Sequence, residues 1–157
     1  MLSIIPLADR PDLVPIVAGW HYEEWGLGHP GGSPEMWTDT LRGQLGRDSI
    51  PIAWVALLDG RPVGSVKLIE QDMATRPELS PWLSSLYVVE EHRGEGIASK
   101  LIDVCEEAAR GLGHETIYLY TTTAEGIYVK AGWETVIREP YGDQQVAMMS
   151  KHVATSL

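Results

Sequence analysis

Cysteine is almost absent. Cys105 stands alone, so no internal disulfide can form and no cysteine cluster can hold a metal. There is no His-x-x-x-His pair either, and no bound metal is expected. Basic residues are scarce: 12 Lys and Arg against 22 Asp and Glu leave a net charge of −10. Such a chain repels nucleic acid and anionic membranes and favours a cationic partner such as an amine. No apolar run approaches the length needed to span a bilayer. The first residues lack the basic start and apolar run of a secretory signal, and Pro6, Pro11 and Pro15 interrupt them. A cytoplasmic protein is expected, with neither a membrane nor a nucleic-acid partner; monomer and homodimer are both open. Repeats, low-complexity runs and linkers are missing too, so residues 1–157 read as a single domain.

What is present centres on residues 84–102. Leu86, Tyr87, Val88 and Val89 read as the end of a short buried strand. Acidic and basic residues then lead into Gly94, Gly96 and Ala98. Beyond them Ile97, Leu101, Val104, Cys105, Ala108 and Leu112 recur at helical spacing. The unit is strand, small-residue turn, helix. Such a turn lets the backbone approach a ligand closely, and the unpaired first N–H groups of the helix form a seat for phosphate.

Two phosphate-binding fingerprints do not fit this turn. The dinucleotide motif needs a third glycine where Ser99 stands, and the P-loop needs a lysine where Ile97 follows Gly96. What fits is R-x-x-G-x-A, written Arg93, Gly96 and Ala98. With Leu86-Tyr87-Val88 before it and an amphipathic helix after it, this segment resembles the acetyl-CoA loop of the GCN5-related N-acetyltransferase (GNAT) superfamily. A second segment, AEGIYVKAGW at residues 124–133, is similar to the superfamily's A-x-x-x-Y-x-K-x-G-F, with Trp133 in place of phenylalanine.

Along the chain, strands are expected at 2–7, 52–58, 63–69, 82–89, 115–121, 133–138 and 145–151. A helix over 12–25 carries Leu13, Ile16, Val17 and Trp20 on one face, with Asp9 or Asp12 as cap, and leads to a glycine-rich loop. A second helix begins at Ser33-Pro34-Glu35. Asp59-Gly60 is a hairpin turn. The long helix ends near Arg110, stopped by Gly111 and Gly113. A short helix places Ala124, Ile127, Tyr128 and Ala131 on one face, capped by a threonine of 121–123, and Gly126 within it needs a packing or ligand reason. The β-α-α-β-β-β-α-β-α-β-β order is an α/β chain of the α+β type. The resemblance implies a mixed, mostly antiparallel sheet flanked by helices.

The resemblance also implies chemistry: transfer of acetyl from acetyl-CoA to an amine by direct attack on the thioester. Tyr128 falls where the superfamily's tyrosine protonates the departing thiolate; otherwise it is a core aromatic. The peptide groups of Leu86, Tyr87 and Val88 are implied to hold the thioester carbonyl and pantetheine amides. Arg93, Gly94, Glu95, Gly96, Ile97, Ala98 and Ser99 form the pyrophosphate loop, and Thr121 stands where an asparagine often contacts the cofactor. Arg93 can contact phosphate or cover the helix start. Glu90, Glu91 and Glu95 are expected to face solvent, while Lys100 and Lys130 can offset their charge. Candidates for the acceptor side are His21, Glu24, Trp25, Asp72 and Tyr141; Glu70, Glu78 and His29 are further possible bases, and ordered water can replace a base. Trp20, His21, Trp25 and Trp82 can form an aromatic wall, with Trp20 and Trp82 leaning to core. Cys105 reads as a core residue rather than a nucleophile. The rival function is an acetyl-CoA-binding sensor of the same fold that transfers nothing.

Overall fold

A computed structural model describes residues 1–27 and 32–154. Gly28, His29 and Gly31 of the expected glycine-rich loop lie outside the described residues. Seven strands form one sheet in the order β1-β2-β3-β4-β5-β7-β6. They are β1 (Leu2–Pro6), β2 (Ile52–Leu58), β3 (Arg61–Ile69), β4 (Trp82–Val88), β5 (Thr116–Thr121), β6 (Glu134–Tyr141) and β7 (Gln144–His152). Every neighbouring pair is antiparallel except β4 and β5. The helices are α1 (Val14–His21), α2 (Pro34–Arg42), α3 (Ile97–Gly111) and α4 (Glu125–Lys130). This is the mixed, mostly antiparallel sheet with flanking helices that the sequence resemblance implies.

Period-two alternation divides the sheet into two faces. On one face Ile52, Trp54, Val66, Leu68, Leu83, Ile117, Leu119 and Met149 pack beneath Leu101, Ile102 and Cys105 of α3. The opposite face carries two separate apolar clusters. Ala53, Val55 and Leu57 lie with Val14, Val17 and Leu41 of α1 and α2. Ile69, Trp82, Val146 and Met148 gather with Met73 at the other end. Between them, on β3 and β4, the side chains are polar. Each fully buried Leu or Ile here contributes about 1.5–3 kcal/mol, so the two clusters hold the face firmly on either side of the polar strip.

Local chemistry explains most element ends. Ser33 caps α2, its hydroxyl accepting from the Met36 N–H at 3.2 Å. Asp59 and Gly60 both have positive φ (50° and 84°), which a two-residue type I′ hairpin requires. Several boundaries differ from the sequence expectation. No side chain caps α1: two 3₁₀ turns, Leu7–Asp9 and Pro11–Leu13, lead into it, and Asp12 instead accepts from Arg10. Ile16, Leu112 and Ile127 are exposed rather than on buried faces, and Leu112 lies one residue past the end of α3. Residues 139–141 continue β6 rather than forming a loop, leaving only Gly142-Asp143 as the turn. A Cβ on Gly126 would meet nothing within 4 Å, so the expected packing reason is absent.

One irregularity shapes the molecule's centre. Ser65 pairs with Tyr87 and Lys67 with Ser84, so Ser85 and Leu86 of β4 lie opposite the single residue Val66. This is a β-bulge, and Ser85 adopts a φ of 55° within it. The bulge bends β4 away from β5. Only Trp82 keeps a partner there, Tyr118. The sheet is therefore split open between β4 and β5.

Candidate active site

The split leaves the β5-facing edge of β4 beyond Trp82 without a strand partner. Backbone polar groups in such an opening demand hydrogen bonds from elsewhere. Leu86, Tyr87 and Val88, the residues expected from the sequence to hold the pantetheine arm, lie along this edge. At the end of β4 the chain passes through a 3₁₀ turn, Glu90–His92, to Gly94 (φ 80°) and Gly96 (φ 86°). A Cβ at either glycine would meet no protein atom within 4 Å, so the space before the loop is open. Gly96 is the residue before α3 and has no side chain to cap it. Ile97 is buried and Ala98 partly so, whereas Ser99 is exposed. The first turn of this 15-residue helix thus offers uncapped N–H groups to an anion. These features fit the diphosphate and pantetheine arm of acetyl-CoA.

The charged residues of the loop are arranged as follows. Glu90, Glu91 and Glu95 are exposed, and the Glu95 carboxylate pairs with His92 Nδ1 at 3.1 Å. Arg93 folds back: its Nε donates to the Val88 carbonyl at 2.9 Å and its guanidinium lies 5.6 Å from the Tyr87 ring centroid. It covers the strand end in this structure. Lys100 and Lys130 are exposed. Thr121 uses its hydroxyl internally, accepting from the Ala124 N–H at 3.0 Å to close the turn into α4.

Tyr128 projects from α4 into the core on the α3 side of the sheet, with 6% of its surface exposed. Its ring meets Trp133 edge to face at 5.9 Å. Burial, and then the neighbouring Cys105, pushes its phenol pKa up, so the hydroxyl stays protonated at neutral pH. Cys105 is itself fully buried, and burial pushes its thiol pKa up as well, leaving no thiolate for nucleophilic work.

The polar strip on the other face was largely invisible in the sequence. His21 is 2% exposed and shares a 2.8 Å hydrogen bond with Ser65 Oγ. Burial, helped by the charge of Lys67, lowers its pKa to about 3, so it is a neutral internal residue rather than an exposed wall. Lys67 donates to Gln44 at 2.9 Å, and burial lowers its pKa. Asp72 sits beside Lys67 and Ser84, half-buried. Burial raises its pKa to about 6, against the downward pull of Lys67 and the Ser84 hydroxyl. Burial also raises the pKa of Tyr120, followed by the charge of Asp72 and then Tyr141. Tyr141 is a strap: its hydroxyl accepts from the Ala74 N–H at 3.1 Å. With the Arg76–Glu139 ion pair at 2.5 Å, it ties the segment carrying Asp72 to β6.

The aromatic wall exists in two parts. Trp20 stacks on Tyr87 at 5.4 Å, and Trp25 meets the same ring edge-on at 6.4 Å. Trp25 is 38% exposed on a π-helical turn, Tyr22–Gly26, that also carries the exposed Glu24. Trp82 is fully buried among Tyr118 and Tyr120. Sequence reasoning missed Ser65, Lys67, Ser84 and Tyr120. Two polar residues two positions apart in the middle of the otherwise apolar run of β3 were the signal for the first two. Among the described residues no group of three His, Cys, Asp or Glu is placed to hold a metal ion. No helix among them is long and apolar enough to cross a membrane.

Comparison with known proteins gives consistent results. The family model described as the acetyltransferase (GNAT) family matches residues 16–133. Human N-acetyltransferase 8B is 34% identical over 85 residues, which is 52% of this chain and 37% of that protein. The chain thus matches well under half the length of that curated relative. An aminoglycoside 6'-N-acetyltransferase solved in complex with coenzyme A superposes with a TM-score of 0.77 at 17% identity, over 100% of this chain and 99% of that one. Ard1 from Thermoplasma volcanium superposes at 0.75 and 17% identity, over 98% and 99%. At such identities the two structures speak to the fold.

Proposed function

Because the chain belongs to the acetyltransferase (GNAT) family, we propose that it is an N-acetyltransferase that moves acetyl from acetyl-CoA to a primary amine by direct attack on the thioester. One observation carries this reading. On the α3 side of the sheet that splits between β4 and β5 lies a phenol kept protonated, Tyr128, and on the other side, beside Lys67 and Ser84, lies a carboxyl whose pKa is raised to about 6, Asp72. A reaction in which an amine must lose a proton and a sulfur must gain one needs a proton acceptor and a proton donor. A module that only binds acetyl-CoA needs neither.

Acetyl-CoA supplies the activated acyl group. The residues of the chain do the rest. Gly94, Gly96 and the first turn of α3 seat the diphosphate, and the free edge of β4 orients the pantetheine arm. Peptide N–H groups on that edge stabilise negative charge as it develops on the carbonyl oxygen. Asp72, with a pKa of about 6, is ionised at pH 7 yet basic enough to take a proton from an incoming ammonium. Tyr128 donates a hydrogen bond, and then its proton, as negative charge collects on sulfur, and the second proton shed by the nitrogen as the amide forms restores the phenol. Direct attack is preferred because Cys105, sealed in the core and held as a thiol, is not placed to carry an acyl group. The net charge of −10 and the exposed indole of Trp25 favour a cationic acceptor.

The test is release of free thiol from acetyl-CoA with a panel of amines. Acetyl-CoA-dependent release with at least one amine is expected, with kcat/KM falling below pH about 6 and Asp72→Asn severely slowed. Tight acetyl-CoA binding with no transfer to any amine would instead favour the sensor.

A further inference from the structure

On the α3 side of the sheet the structure holds a buried carboxylate which the chemistry above does not use. Glu106 on α3 is only 5% exposed. Its Oε1 accepts from Lys151 Nζ of β7 at 2.7 Å, and its Oε2 accepts from the indole Nε1–H of Trp133 at 3.1 Å. Lys151 Nζ also donates to the Ala131 carbonyl at 2.7 Å. Both arms therefore grip residues 131–133, the turn that leaves α4. Gly132 takes the chain through this turn at a φ of 93°, a conformation that side-chain-bearing residues rarely adopt. The turn is bonded in return to Tyr128, whose carbonyl accepts from the N–H groups of Ala131 and Trp133 at 3.0 and 2.9 Å.

A six-residue helix has little stability of its own, so its placement depends on what holds its two ends. At its start Glu125 is bound by Thr135 and Arg138 of β6. At its end stand Glu106 and Lys151. A buried ion pair is a weak source of stability, because desolvation offsets the Coulomb gain, but its directional bonds fix geometry. We propose that Glu106, with Lys151 and the indole of Trp133, is a positioning residue that holds the Tyr128 phenol in register with the split between β4 and β5. This rests on the reading of Tyr128 as the proton donor. It also gives Trp133 a function that a phenylalanine at that position could not supply: an N–H for Glu106.

The experiment compares Glu106→Gln in two backgrounds, the unaltered protein and Tyr128→Phe. Glutamine keeps the volume but sets an amide against Lys151, loosening that arm. Misplacement of a reacting group by about 1 Å costs on the order of 10²-fold in rate. The single-turnover rate of acyl transfer should fall roughly 10–100-fold in the unaltered background, with acetyl-CoA affinity nearly constant. It should not fall further in Tyr128→Phe. The NMR ring signals of Tyr128 should move in Glu106→Gln, because Trp133 lies against that ring. Unmoved ring signals together with an unchanged rate, or equal rate losses in both backgrounds, would overturn the proposal. Tyr128→Phe at full rate would refute the donor role alone, and the ring signals would then decide the positioning role. If Glu106→Gln does not fold, Trp133→Phe and the double variant Glu106→Gln/Lys151→Met, which removes both charges, carry the same comparison.

Discussion

The pH dependence of stability around Asp72 and His21 offers a quantitative check on the proposed base. Asp72 has a folded pKa of about 6 against 3.8 for an unperturbed carboxyl. A raised pKa means that the stability contributed by the protonated form is fully present below 3.8 and is lost as pH rises through 6. At 1.36 kcal/mol per unit, and allowing for solvent screening of a half-buried group, this amounts to about 2–3 kcal/mol. His21 runs the other way. Its folded pKa of about 3 lies below 6.5, so its contribution is intact above 6.5 and is lost as pH falls towards 3. Between pH 4 and 6 the unfolded chain holds the extra proton at His21, and the folded chain holds it at Asp72. The two effects nearly cancel. Asp72→Asn removes one side of the balance. Relative to the unaltered protein, the variant should lose about 1.4 kcal/mol of stability for each pH unit below 6. Urea unfolding followed by tryptophan fluorescence at pH 4, 5, 6, 7 and 8 gives the difference directly. Only its slope matters, since any constant offset from leaving Lys67 without its partner drops out. A difference that stays constant from pH 4 to 7 would show an ordinary carboxyl at Asp72 and remove the support for its role as base.

Tyr128→Phe should leave thermal stability and acetyl-CoA affinity nearly unchanged while slowing single-turnover transfer by roughly 10²–10⁴-fold, as for loss of a positioned acid; normal transfer refutes the role. Gly96 and Gly60 have almost the same positive φ (86° and 84°) and open space around each, so alanine at either should cost about 1–2 kcal/mol in a thermal or urea melt. Only Gly96→Ala should also lose the rise in melting temperature that acetyl-CoA gives, and equal protection in both variants would refute the loop assignment. With a cationic acceptor, kcat/KM should fall as salt rises while acetyl-CoA binding follows a different trend, because exposed charges steer only the acceptor. A salt-independent rate would detach the acidic surface from substrate choice.

What the sequence by itself determined is local. Residues 84–102 were legible as strand, glycine turn and helix because each signal lies within a few positions of the next. The hairpin at Asp59-Gly60, the cap at Ser33 and the segment around Tyr128 were readable for the same reason. Alternation along β3 placed Ser65 and Lys67 on one face but could not say what they would meet. Tertiary structure decided that. His21 is 44 residues from Ser65, Glu106 is 45 from Lys151, and Arg76 is 63 from Glu139. Neither propensity nor period encodes such pairs, since they exist only once the sheet has brought distant strands together. The same holds for ionisation. His21 and Asp72 carry ordinary side chains, and only their burial on the strip between two apolar clusters drives one pKa to about 3 and the other to about 6. The split between β4 and β5 is likewise a product of the bulge at Ser85 and Leu86, which appears only when β4 is paired against the single residue Val66. The glycine turn was written locally; the ionisation of Tyr128 and Asp72 and the split between β4 and β5 were made by packing.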